Sequence, residues 1–100
     1  MAWLALAPLA VIAAEMTITV PPGAVWLAYQ GYDACSTGGG SVDYNYNGVA
    51  GVIAVTPGQE ITIEVDDNAA AAWQLQGSSG NNLEAGNLYG DLNNPAPCGE

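Results

Sequence analysis

The sequence contains no lysine, no arginine, no histidine and no phenylalanine. Each missing cation removes a class of function. Phosphates cannot be neutralised without basic side chains, so nucleic-acid binding is excluded, and an anionic membrane surface repels the chain. Catalysis loses its usual tools as well: no imidazole titrates near neutrality, no side-chain amine forms a Schiff base, and no cationic group stabilises an oxyanion. Paired carboxylates would still suit a glycosidase, yet nothing in the pattern sets two of them across a cleft. The expectation is a protein that is not an enzyme and holds no cofactor. Side-chain salt bridges are equally impossible, so burial, hydrogen bonds and covalent links must hold the fold.

Cysteine is scarce, with only Cys35 and Cys98. Flanked by Gly, Ser, Asn and Pro, with no His and no CxxC spacing, the pair makes a poor metal or redox site. A disulfide is the natural reading for an exported protein, and it points outside the cytoplasm. Closing a loop of roughly 60 residues contributes about 4 kcal/mol by the chain-entropy argument. It also fastens a chain end rich in Asn, Gly and Pro. No Asn-X-Ser/Thr acceptor occurs.

What the chain does have is acid and apolar surface. Ten carboxylates, Glu15, Asp33, Asp43, Glu60, Glu64, Asp66, Asp67, Glu84, Asp91 and Glu100, give a net charge of -10, while half of all residues are apolar. That proportion is too high for a disordered acidic chain. A hundred residues suffice for one domain.

Residues 1–14, MAWLALAPLAVIAA, form an uninterrupted apolar run. As a signal segment it has a suitable apolar stretch and small residues at Ala13 and Ala14, but it lacks a basic flank. As a membrane span it is short, since a helix of this length rises about 21 Å against roughly 30 Å of hydrocarbon. The third reading is burial in protein. Leu4, Leu6 and Ile12 alternate with Trp3, Leu9 and Val11, so both faces are apolar and need cover that a small sheet cannot easily supply. These six residues are therefore the expected subunit interface. Alanine and leucine favour a helix kinked at Pro8, and a donated strand is the alternative. The chain divides accordingly into an apolar assembly segment, 1–15, and a β domain, 16–100.

The body reads as strands. Met16, Ile18 and Val20 alternate with Thr17 and Thr19, and Pro21-Pro22-Gly23 ends the run. Ala24–Gln30 is a second strand with Val25, Leu27 and Tyr29 on one face and Trp26 and Ala28 on the other. Gly31–Gly40 is expected to be a loop; it lacks the lysine and helix of a phosphate-binding loop. Val42, Tyr44 and Tyr46 alternate with Asp43 and Asn45, and Asn47-Gly48 signals a tight hairpin turn. Val49–Thr56 and Glu60–Val65 are expected to form a second hairpin through Pro57-Gly58, with Ile61, Ile63 and Val65 inward. Asp66-Asp67-Asn68 reads as a turn rather than a calcium site, because the spaced acids of such a loop are missing. Ala69–Gln76 is a strand presenting Trp73 and Leu75, or a short helix. From Asn81 the chain is expected to be irregular. Val20-Pro21-Pro22-Gly23 and Val55-Thr56-Pro57-Gly58 form a short internal echo.

The phrases Thr17-Ile18-Thr19-Val20-Pro21-Pro22-Gly23 and Val55-Thr56-Pro57-Gly58-Gln59-Glu60-Ile61-Thr62-Ile63-Glu64-Val65 resemble signatures of the glycine-rich β domains of bacterial surface proteins and phage tail fibres. The resemblance covers residues 17–65 and implies an all-β, non-enzymatic, extracellular or virion-associated module. The layout of an apolar tail before a β head is also similar to that of pilins. Together these readings predict a small antiparallel β-sandwich or barrel-like head. The expected function is that of a structural subunit in an extracellular filament, its partners being further copies of itself, with no nucleic acid and no stable membrane span. A virion tail or capsid-decorating protein is one alternative. The other is a secreted module binding carbohydrate or a partner through Trp26, Tyr44, Tyr46 or Trp73.

Overall fold

The computed structural model describes residues 14–99. They form strands β1 (Ala14–Thr19), β2 (Ala24–Gly38), β3 (Ser41–Ala54), β4 (Glu60–Val65), β5 (Ala69–Gly77), β6 (Asn82–Tyr89) and β7 (Ala96–Pro97). The described chain is thus all-β. β1 and β4 pair as a two-stranded antiparallel sheet, while the larger sheet has the order β3-β2-β5-β6, with β7 alongside β2. The apolar segment, including Trp3, Leu4, Leu6, Leu9, Val11 and Ile12, lies outside the described residues.

The small sheet follows directly from alternation. Its register pairs Met16 with Ile63 and Ile18 with Ile61, so one face is wholly aliphatic, as a period of two requires. The other face carries Glu15 opposite Glu64 and Thr17 opposite Thr62; the two threonine hydroxyls lie 3.1 Å apart. The aliphatic face packs on the larger sheet, and Ile18, Val20, Ala24, Leu27, Val55, Trp73 and Leu75 form the buried core. Met16, Tyr29, Ile61 and Ile63 border it. β1 contacts β6, and β4 contacts β5 and β6; the described domain measures 45 × 42 × 19 Å. A slab of this thickness holds two sheets about 10 Å apart. The small sheet covers only one face of the larger one.

The two Val-X-Pro-Gly phrases meet in space. Gly58 N–H donates to the Val20 carbonyl at 2.8 Å, and Val20 N–H donates to the Gln59 carbonyl at 2.9 Å. Gly23 and Gly58 adopt φ values of 92° and 89°, open to glycine and costly for other residues. Each phrase therefore ends a strand on a buried valine and turns the chain toward the other sheet.

Three expected connections differ. Gly31–Gly38 is strand rather than loop, so β2 and β3 form one long hairpin that turns at Gly39-Gly40. Asn47-Gly48 does not turn the chain. Between the pairs Gln30↔Ala50 and Tyr32↔Tyr46, β3 carries residues 47–49 opposite Gly31 alone, a bulge. Gly48 takes φ 86° there; Asn47 holds the bulge by accepting from Val49 N–H at 3.1 Å and donating to Asp33 Oδ1 at 3.3 Å. Positive φ suits a bulge and a hairpin turn equally. Finally, β3 and β4 do not pair across Pro57-Gly58: β4 crosses to β1 in the other sheet. Residues 82–89, expected to be irregular, form edge strand β6, whereas residues 69–77 are strand and not helix.

Cys35 and Cys98 are joined by a disulfide. Cys35 is buried near the end of β2, and β7 runs parallel to it through Cys35↔Ala96 and Ser36↔Pro97. β3 occupies the other edge of β2 here, so β7 continues the line of β5, whose pairing ends at Asp33↔Ala69.

Candidate functional site

The face of the large sheet turned away from β1 and β4, here the outer face, is built from even-numbered positions of β2, β3 and β5 and odd positions of β6. Register places Val52, Ala28, Gln74 and Ala85 in one row and Ala50, Gln30, Ala72 and Asn87 in the next. Trp26, with Ala54 and Gln76 as neighbours, flanks the first row. Tyr46, Tyr32, Ala70 and Tyr89 flank the second. The bulge adds two residues to β3, an even number, so the alternation is not inverted across it. Trp26, Tyr46, Tyr89 and Val52 are 42%, 52%, 55% and 61% exposed.

None of these positions is charged. Asp33, Asp43 and Glu84 pair with Asn45 or Ala69, Cys35 and Leu75 respectively, positions that alternation places on the opposite face of the sheet. Glu15, Glu60 and Glu64 project from the outward side of β1 and β4, and Asp66, Asp67 and Asp91 lie in connections. The carboxylates thus surround an uncharged plane.

A groove of about 710 Å³ crosses the middle of this plane. Small side chains, Ala28, Ala50, Ala72 and Ala85, line it together with Gly51 and Gly86, while Val52, Gln30, Gln74 and Asn87 stand around them. The glycines are explained from the other face. A Cβ at Gly51 would lie 2.5 Å from the Tyr29 hydroxyl, and one at Gly86 would lie 2.6 Å from Trp73 Cζ2. The row Gly51–Tyr29–Trp73–Gly86 therefore crosses the sheet with each aromatic laid over the glycine of an edge strand, covering backbone that has no side chain. Among the described residues the Trp73 indole N–H is buried without a hydrogen-bond partner.

A tyrosine cluster closes one end. Tyr44 and Tyr89 meet with ring centroids 5.3 Å apart and Tyr32 and Tyr46 at 5.9 Å; Ala34 and Ala70 are buried beneath. The Tyr32 hydroxyl donates to Gln30 Oε1 at 2.5 Å, and Gln76 Nε2 donates to Gln74 Oε1 at 3.2 Å. Among the described residues the Tyr44 hydroxyl is buried without a partner. Its burial, reinforced by the neighbouring Tyr89, raises the Tyr44 pKa above the ordinary phenol value.

Of the aromatic residues singled out for stacking, Trp26 and Tyr46 are exposed on this face, Tyr44 is half-buried, and Trp73 is buried in the core beneath. The structure does not assemble the four into one platform. The face as a unit escaped the sequence reading, although a signal existed: every even-numbered residue of β2 and β5 that faces outward is aromatic, alanine, serine, glycine or glutamine, never acidic. Among the described residues no three His, Cys, Asp or Glu side chains come together as a metal site. Such a surface offers apolar contact and amide hydrogen-bonding groups. Comparison with protein-family models, with characterised proteins and with solved structures finds no match for this chain.

Proposed function

We propose that the protein is a structural subunit of a self-assembling extracellular filament, joined to its neighbours by the apolar segment 1–15. The observation that carries this reading is that the described domain builds its buried core between Ile18 and Leu75. The apolar run precedes the described residues, and strand β1 begins at Ala14. Apolar side chains released from water contribute about 25 cal/mol per Å², so inserting Trp3, Leu4, Leu6, Leu9, Val11 and Ile12 into a neighbour outweighs a considerable ordering cost. Head-to-tail insertion repeats without closing and yields a fibre. The disulfide fits an oxidising, extracellular setting, and the resemblance of residues 17–65 to surface and tail-fibre domains agrees with it.

The test is to place charge in the segment of the full chain. Leu6→Asp with Leu9→Asp is expected to leave monomers where the native chain forms filaments under the electron microscope. Filaments of unchanged form, or a native chain that never assembles, would overturn the reading. Exposed Trp26 beside the amides of the outer face favours a second reading, a secreted module for neutral carbohydrate. Glycan-array binding lost on Trp26→Ala would support it.

A further inference from the structure

We propose that the alanine-floored groove on the outer face receives part of the apolar segment, residues 1–13, of a second copy of this chain; this rests on the filament reading above. Charge selects the partner. With a net charge of -10 and no side-chain cation, two copies that meet through any acidic surface bring carboxylates together with nothing to neutralise them. The outer face is the large surface of the described domain that avoids this. Residues 1–13 are likewise free of charged side chains.

Shape agrees. Ala28, Ala50, Ala72 and Ala85 keep the floor low, and Gly51 and Gly86 remove side chains from the edge strands, so an incoming backbone can approach closely while its larger side chains fill the space between Val52 and the glutamines. Four strands about 4.8 Å apart make a floor roughly 14 Å wide, the reach of about four extended residues. The groove therefore takes a portion of the run and fixes its register.

The test uses full chains. Ala50→Glu with Ala85→Glu puts charge into the groove at two exposed edge-strand positions, while Ser78→Glu, in an exposed turn, controls for added charge. Retention of the disulfide mass and the near-ultraviolet circular dichroism of the native chain shows that each has folded. The groove variant is expected to assemble at least 10-fold less than the native chain, and Ser78→Glu to match the native chain. Mixing the groove variant, which can donate but not accept, with Leu6→Asp/Leu9→Asp, which can accept but not donate, is expected to give 1:1 dimers in sedimentation. If the groove variant polymerises normally while the segment variant does not, the filament reading stands and the groove is overturned. Dimers of the segment variant alone would mean that two outer faces meet, and a mixture that stays monomeric would also overturn the proposal. A native chain that does not assemble removes both readings.

Discussion

Gly86 and Trp73 show how one residue determines what another is allowed to be. The indole lies where a Cβ at position 86 would stand, 2.6 Å from Cζ2, and the ring is rigid and 5% exposed. Gly86→Ala is therefore expected to cost about 1–3 kcal/mol, as overpacking does, measured by denaturant unfolding. Adding Trp73→Leu removes the obstruction, so the two losses should be less than additive in a double-mutant cycle; simple additivity would refute the contact. Tyr44 is the opposite case, a group with one atom too many. Its buried hydroxyl lacks a partner among the described residues, and Tyr44→Phe should raise stability by about 1 kcal/mol. The phenol's pKa is raised above its ordinary 10.0 in the folded state, so the native protein holds the proton more firmly. That contribution is complete below the unfolded value and is lost as pH rises through the folded one. Stability measured from neutral pH into the alkaline range should fall less steeply in Tyr44→Phe than in the parent.

At the scale of elements, the disulfide closes what backbone pairing alone leaves slight. β7 is held to β2 by two residue pairs and by Cys98 N–H donating to the Ser36 carbonyl at 2.9 Å. Replacing Cys35 and Cys98 by alanine should lower stability by up to about 4 kcal/mol, given a sequence separation of 63. Hydrogen exchange should rise first in residues 91–99. The same scale shows what was legible in the sequence. Strict alternation was enough for β1, β4 and the inward faces of Ile18 and Ile61, because burial on one face imposes period two, whereas the four alanines that open β5 carry no period and left strand and helix both open. Asn47-Gly48 misled because its positive φ is a local property that serves bulge and turn alike. The pairing of β4 with β1 was hidden because β3 and β4 are adjacent in sequence, and the choice of partner is decided by which sheet buries Ile61 and Ile63. The outer face left only a partial trace, the acid-free even positions of β2 and β5, because its residues come from four strands and only register brings Val52, Ala28, Gln74 and Ala85 into one row.

At the scale of the whole molecule, charge is the dominant asymmetry. Glu15 faces Glu64 across the small sheet, a like-charge pair that weakens it, and a net charge of -10 repels itself more in a compact slab than in an extended chain. Salt should therefore stabilise this protein. Raising ionic strength from about 0.01 M to about 1 M shortens the screening length from roughly 30 Å to 3 Å, and no attractive ion pair between side chains exists to be weakened at the same time. Tm is expected to rise by several degrees over that range in sodium chloride. The same screening should favour association, because copies that meet through the uncharged face still bring their acidic rims into each other's field. Light scattering along the same salt series then separates the two effects. A Tm that rises without association would leave the repulsion intramolecular, whereas a parallel rise of both, abolished for association alone by Ala50→Glu/Ala85→Glu, would tie assembly to the one broad surface of the described domain that the carboxylates leave clear.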